Sequence, residues 1–250
     1  MRPNDLPCLG PIKAPIDRFY GVPEMDGQNI LCIGMSESEI DSMLVTRGSA
    51  SVTVLTMWEQ HIDAKPGKYP IIIGDITKRT SFNDGHFDGI VTNSLLEHIS
   101  DLSAGFREMC RVTKLGAWNF HCFGPAWSCA YGSHLYVDDK DPNLNFSLWQ
   151  LPAFFHLLCS RQEIVDYYSS LGYTNDSIAY ITRDLYNNDY INRVFYDQYV
   201  RLFNDFYTLE MCDLITIPVP RDLLLILRQK CLGAFDFSTY GGSYRFRIDR

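Results

Sequence analysis

The sequence contains no apolar run long enough to span a bilayer, so no membrane-crossing helix is expected. It also lacks an excess of positive charge. The formal net charge is −8, whereas binding a phosphate backbone requires a basic face, which argues against nucleic acid as the main partner. Eight cysteines and six histidines are present without a CxxC pair or an HExxH spacing, so neither a structural zinc site nor any other metal is expected. Most cysteines lie inside apolar runs such as "ILCIG" and "FHLLCS", where a free thiol behaves as a small hydrophobe. That usage points to a reducing, cytoplasmic compartment. The stretch "MRPNDLPCLGPIKAPIDRFYG" has no apolar core of the kind a secretory signal needs. Internal repeats and low-complexity tracts are absent as well.

What is present is the composition of an ordinary globular chain, with 250 residues, 46% hydrophobic and 21% charged. That length suits one α/β domain with additions. Residues 1–28, with five prolines, read as an irregular arm. Beyond them strand and helix patterns alternate. "NILCIG" is a buried strand, and "ESEIDSMLVTRG" an amphipathic helix closed by Gly48. "SVTVLT", "YPIIIGD" and "FDGIVTN" are further strands, "LSAGFREMCRVTK" a helix and "GAWNFHCFG" a fifth strand. Near-continuously apolar strands separated by helices predict a Rossmann-like α/β fold, a mostly parallel sheet with helices on both faces.

The second half is less regular. Residues 124–160 form a long aromatic-rich connection inserted into a domain that runs from 29 to 183. Ser160 and Glu163 have the spacing of a capping box at the start of a helix. "DSIAYITRDL" suggests a sixth strand, residues 189–212 read as helical, and "GSYRFRID" as a closing edge strand. Residues 184–250 are thus a helical, aromatic-rich C-terminal addition with a closing strand.

Ligands of parallel sheets bind beyond the carboxyl ends of the strands. The residues there are Gly34 to Ser38, Thr56 to Glu59, Asp75 with Ile76, and Asn93 to His98. The stretch "GDITKRTSFNDGHFDGIVTNSLLEHISDLSAGFREMCRVTKLGAW" resembles the middle of a class I S-adenosylmethionine-dependent methyltransferase. The family shows an acid after the third strand, "FD" entering the fourth, "LEH" beyond it, then "RE…RV-K-GG" before the fifth. These features stand here in order, and the resemblance covers residues 28 to 122.

The resemblance implies S-adenosylmethionine as cofactor and assigns roles residue by residue. Gly34 keeps the first glycine of the cofactor loop, while Ser36 and Ser38 replace the next two, and Cys32 stands where an acid usually precedes the glycine. Serine is small enough for close approach and can hydrogen-bond a carboxylate. Thr56 occupies the place of the ribose-binding acid; Glu59 either takes over that role or is a solvated loop acid. Asp75 matches the residue that receives the adenine amino group, with Ile76 against the ring, and its plain alternative is a turn aspartate. Asn93 and Ser94 match positions beside the sulfonium. Glu97 and His98 are structural first and catalytic second.

An oxygen acceptor needs a general base, and the candidate is His134 in the loop from Gly124 to Tyr136. "PAWS" followed by "GSHL" is similar to methyltransferases of sugar and surface-polysaccharide modification. The competing reading is a loop histidine tied to a backbone carbonyl. Trp127 and Tyr131 could stack on a sugar ring, whereas His121 and His156 read as packed. The expected function is therefore a methyltransferase acting on a small-molecule or saccharide hydroxyl. The alternative is a catalytically inactive methyltransferase-like binding or regulatory module, motivated by Cys32, Ser36, Ser38 and Thr56. A nucleotide-dependent dehydrogenase or epimerase is disfavoured because the first loop lacks GxGxxG.

Overall fold

The computed structural model describes residues 1–12, 17–57, 67–187 and 190–249. Its sheet has seven strands among the described residues, in the order β3-β2-β1-β4-β5-β7-β6. The strands are β1 (Asn29–Ile33), β2 (Ser51–Thr56), β3 (Ile71–Ile73), β4 (Phe87–Asn93), β5 (Thr113–Phe123), β6 (Thr208–Thr216) and β7 (Thr239–Arg247). The first five are parallel, and β7 runs antiparallel to β5. The helices are α1 (Glu37–Arg47), α2 (Leu102–Val112), α3 (Phe155–Leu158), α4 (Arg161–Ser170), α5 (Asn175–Asn187), α6 (Tyr196–Phe206) and α7 (Arg221–Lys230). No helix among the described residues is long and apolar enough to cross a membrane.

The expected Rossmann-like fold is what the chain adopts, helices on both faces included. Successive strand residues point to opposite faces, and the packing follows that rule. Ile30 and Cys32 of β1, Val52 and Val54 of β2, Val91 of β4, and Phe120 and Cys122 of β5 share one face with Ile40 and Met43 of α1. On the opposite face His121 of β5 lies under aromatic rings. The centroids of Phe106 from α2, Tyr207 and Phe246 are 6.0, 5.8 and 5.9 Å away.

The described chain separates into two compact units, each assembled from separated segments. One comprises residues 15–123, 200–213 and 242–250 and holds the parallel strands. The other comprises residues 1–14, 124–199 and 214–241. Each has its own buried core, the second built around Tyr131, Phe154, Phe155, Tyr168, Ile181 and Phe237. The sequence suggests three successive pieces instead; the closing strand it marks is β7, but a linear reading cannot see that β6 also joins the sheet begun at residue 29.

Three local expectations differ from the structure. "DSIAYITRDL" lies in a helix, α5, not a strand. Its isoleucines and threonine favour extended backbone, but Ile178, Ile181, Thr182 and Leu185 are buried at helical spacing, and that period prevails. Residues 208–212, read as helical, begin β6, whose "TLEM" start consists largely of helix-tolerant residues. "GSYRFRID" is not an edge strand, since β7 lies between β5 and β6, and Arg245 pairs with Glu210 of β6 at 3.2 Å.

The "RE…RV" stretch anchors this frame. Glu108 is buried and accepts four hydrogen bonds: from the Thr80 amide and hydroxyl at 2.7 Å each, and from Arg111 Nε and Nη2 at 2.7 and 2.6 Å. Arg111 also donates to the Phe82 carbonyl at 2.9 Å, so α2 holds the loop that leads into β4. Burial works against the Glu108 charge, but the bonds from Arg111 and Thr80 outweigh it and lower the carboxyl from 4.5 to about 2. A folded value below the unfolded one stabilises above the unfolded value. The contribution is therefore full above pH 4.5 and fades as pH falls through that value toward 2. Glu108→Ala should cost about 3 kcal/mol, because it removes the buried partner of a mostly buried guanidinium and leaves it only the exposed Asp84 as a charge partner. Urea denaturation at neutral pH and near pH 3 checks both statements: the penalty should shrink at the lower pH.

Candidate cofactor site

The sheet order reverses between β1 and β4. After β1 the chain adds β2 and β3 on one side; β4 and β5 build outward on the other. Ligands of open parallel sheets bind at such reversal points, beyond the strand ends. In the β1–β4 register Ile33 faces Thr92, so the next residues on the two strands, Gly34 and Asn93, are neighbours at the crevice.

Gly34 is exposed and holds φ +68°, a region that side chains rarely adopt. A Cβ there would come 3.0 Å from Leu95 Cδ1, so that side-chain end would also have to shift by a few tenths of an ångström. Its amide donates to the Leu55 carbonyl of β2 at 3.0 Å. Two residues on, Ser36 caps α1. Its Oγ accepts from the Glu39 amide at 3.4 Å, while the Ser36 amide and hydroxyl donate to Glu39 Oε2 at 2.8 and 2.7 Å. Ser36 and Ser38 hydroxyls lie 3.2 Å apart.

Glu39 is the residue that sequence reasoning missed. Its Oε1 accepts from Asn93 Nδ2 at 2.6 Å, which links the first turn of α1 to the end of β4. Burial opposes the Glu39 charge, but hydrogen bonds from Ser36 and Asn93 and the charge of Arg18 hold the carboxyl below its usual range. The signal that could have found it is the Ser-x-x-Glu spacing of a capping box. Asn93 is buried, and its Oδ1 has no hydrogen-bond partner among the described residues. An unpaired buried acceptor costs about 1–3 kcal/mol, which a ligand donor would recover.

Asp75 follows β3 and begins a turn. Its Oδ1 accepts from the Thr77 amide at 2.9 Å and hydroxyl at 2.7 Å, and Oδ2 pairs with the exposed Lys78 at 3.3 Å. Burial works against its charge, while Thr77 and Lys78 outweigh it and lower the carboxyl. Ile76 is buried, 3.9 Å from where a Cβ on Gly105 of α2 would stand. Ser94, exposed, holds φ +49° and donates its amide to the Cys122 carbonyl at 2.8 Å. Thr56, at the end of β2, is buried, and Glu59 lies outside the described residues. Glu97 is buried and His98 exposed, in a short 3-10 turn over Leu96–His98. Gly34, Ser36 and Asn93 thus converge around Glu39, with Ser94 next in the chain and the Asp75 turn at the end of β3.

His134 belongs to the second unit. It holds φ +50°, its ring lies 5.1 Å from Phe146, and its Nδ1 is 3.3 Å from the Gly132 carbonyl. A carbonyl can only accept, so Nδ1 donates and the lone pair is on Nε2. Tyr131 is not available for stacking on a sugar. It is fully buried, and its hydroxyl accepts from the Leu9 amide at 3.1 Å and lies 3.2 Å from the Trp149 carbonyl. Trp127 is half-buried, 4.7 Å from the His156 ring and beneath the Arg193 guanidinium. Burial pushes His121 down to about 3 and His156 to about 4, so neither ring is positively charged near neutrality.

Residues 31–120 match the protein family described as a methyltransferase domain. The demethylmenaquinone methyltransferase of Mycolicibacterium gilvum (strain PYR-GCK) is 45% identical over 49 residues, 20% of this chain and 21% of that protein. The chain therefore spans about a fifth of the length of the curated relative it matches. An S-adenosylmethionine-dependent methyltransferase of Methanosarcina mazei superposes with TM-score 0.52 at 17% identity, over 94% of this chain and 99% of that one. The geranyl diphosphate C-methyltransferase of Streptomyces coelicolor A3(2), solved with S-adenosyl-L-homocysteine, gives TM-score 0.51 at 13% identity, over 91% and 73%.

Gly34→Ala should lower stability by about 1–2 kcal/mol, the cost of left-handed backbone at a residue with a Cβ. The midpoint of urea denaturation measures it; an unshifted midpoint would mean that the loop relaxes freely. With its strand order and the crevice around Gly34 in agreement, residues 31–120 match the methyltransferase-domain family, and the chain shares the fold of S-adenosylmethionine-dependent methyltransferases.

Proposed function

We propose that this chain is an S-adenosylmethionine-dependent methyltransferase of a small-molecule acceptor, with a hydroxyl, as on a saccharide, as the acceptor group. The observation that carries the reading is the crevice at the β1–β4 reversal. There an exposed glycine in left-handed backbone stands beside a buried asparagine whose Oδ1 has no partner among the described residues. A decayed site has no reason to keep a bare backbone and an unsatisfied polar atom side by side at the strand ends.

The cofactor, when bound, supplies a methyl group on a sulfonium that is already an activated electrophile. The protein's task is then alignment and exclusion of water. In this reading Gly34 lets backbone approach the cofactor's amino-acid end, and Ser36, whose hydroxyl is held by Glu39, borders that end without a bulky side chain. Asp75 receives the adenine amino group through Oδ2, whose present partner, Lys78, is exposed and held only weakly. Ile76 borders the ring, Glu59 takes the ribose hydroxyls, and Asn93 and Ser94 flank the methyl-bearing end. His134 removes the acceptor proton through Nε2, with Nδ1 anchored on the Gly132 carbonyl. A small organic acceptor also accords with the names of the relatives, which act on demethylmenaquinone and on geranyl diphosphate.

Calorimetric titration with S-adenosylmethionine and S-adenosylhomocysteine tests the cofactor reading, and a Kd on the order of micromolar is expected for both. Absence of binding at millimolar ligand would replace it with the inactive binding module. Asp75→Ala should weaken S-adenosylhomocysteine by about 1–3 kcal/mol, the value of a hydrogen bond to a charged group. An unchanged affinity removes Asp75 from the adenine. His134→Ala should abolish turnover on hydroxyl acceptors and leave cofactor affinity intact; retained turnover would return this histidine to a loop-anchoring role.

A further inference from the structure

The cofactor loop has lost its expected acid, since β1 carries Cys32 there, fully buried and uncharged. A thiol cannot neutralise an ammonium. Burial first, and the nearby negative charge of Glu39 second, push Cys32 up to about 12. A negative charge therefore stands close to the position of the missing acid, but it comes from the first turn of α1.

Three observations define what that charge can bind. The carboxylate of Glu39 accepts two bonds on Oε2 and one on Oε1, short of the roughly four a carboxylate can take. Because a carboxylate only accepts, the amide nitrogen of Asn93 faces Glu39, and Oδ1 is the remaining, buried acceptor. Gly34, next to Asn93 across the strand pair, presents bare backbone beside them, with the Leu95 side chain against it. Two acceptors, one of them anionic, on either side of one amide nitrogen, suit a group that only donates and is positively charged. A primary ammonium has three donors and no acceptor.

Resting on the methyltransferase reading above, we propose that Glu39 and Asn93 recognise the α-ammonium of the cofactor's amino-acid end, a task moved from the strand position of Cys32 to the first turn of α1. Ser36 serves as a positioning residue, because its amide and hydroxyl fix the Glu39 carboxylate. A purely structural role would instead make the Glu39–Asn93 bond a tie between helix and strand, indifferent to any ligand.

The test is a calorimetric cycle on the full chain. Wild type and Glu39→Gln are each titrated with S-adenosylhomocysteine, with its analogue lacking the amino group, and with 5′-methylthioadenosine, which lacks the whole amino-acid end. Wild type should bind S-adenosylhomocysteine roughly 10–100-fold more tightly than the deaminated analogue, as a charge-assisted bond would give. Glu39→Gln should erase most of that preference and bind 5′-methylthioadenosine as wild type does, which also reports that the site is folded. Asn93→Ala, as the second variant, should reduce the preference in the same direction. A preference preserved in Glu39→Gln, or equal losses for all three ligands, overturns the assignment while the cofactor reading stands. Wild type that binds none of the three overturns both.

Discussion

Parallel pairing between β1 and β4 is the constraint from which the rest of the site follows. Two parallel strands that feed loops in opposite directions cannot close the space above their ends, so a crevice remains where the sheet reverses. Gly34 is needed because the chain must turn away at once, and Asn93 is buried because β4 lies in the middle of the sheet. The helix that starts at Glu37 then brings Glu39 to the same point. Its capping arrangement is thus both a local solution for orphan amides and the means of placing a carboxylate.

The motif residues divide by what they touch. Glu108 and Arg111, the most recognisable part of the resemblance, hold the loop at Thr80 and Phe82 and lie among structural partners. They keep the entry to β4 in place and have no described contact with the crevice. The face of β5 that carries His121 is sealed by aromatic rings from α2, α6 and β7, including the contact of Phe203 with Phe246 at 4.8 Å. That seal explains why His121 is neutral and chemically silent.

Strands β1, β2 and β4 and helices α1 and α2 were legible because burial on both faces writes itself as apolar runs, and Gly48 marks the end of α1. Legibility failed where two periods compete. In α5 the β-branched residues spoke for a strand, while the spacing of Ile178, Ile181 and Leu185 spoke for a helix. β6 escaped because most of its residues are exposed, so it lacks the apolar alternation of a half-buried strand. At the site, Gly34 and Asn93 could be located from strand ends alone. Glu39 is readable only as a capping residue, since its link to Asn93 depends on a contact 54 positions away in sequence. Tyr131 misled for the opposite reason: a loop aromatic looks available until its hydroxyl is found bonded to backbone on two sides.

The division of the chain also bears on how the protein can be handled. The polypeptide passes between its two compact units five times, at residues 14–15, 123–124, 199–200, 213–214 and 241–242. Neither unit is a continuous stretch, so no single truncation delivers one without the other. The strands that complete the sheet lie far along the chain from β5, β6 starting at Thr208 and β7 at Thr239. A ribosome-bound chain therefore exposes the free edge of β5 until β7 has emerged. Such a long-range closure slows folding and leaves an unpaired strand open to aggregation, which makes expression of the whole chain, at reduced temperature, the sound route to material.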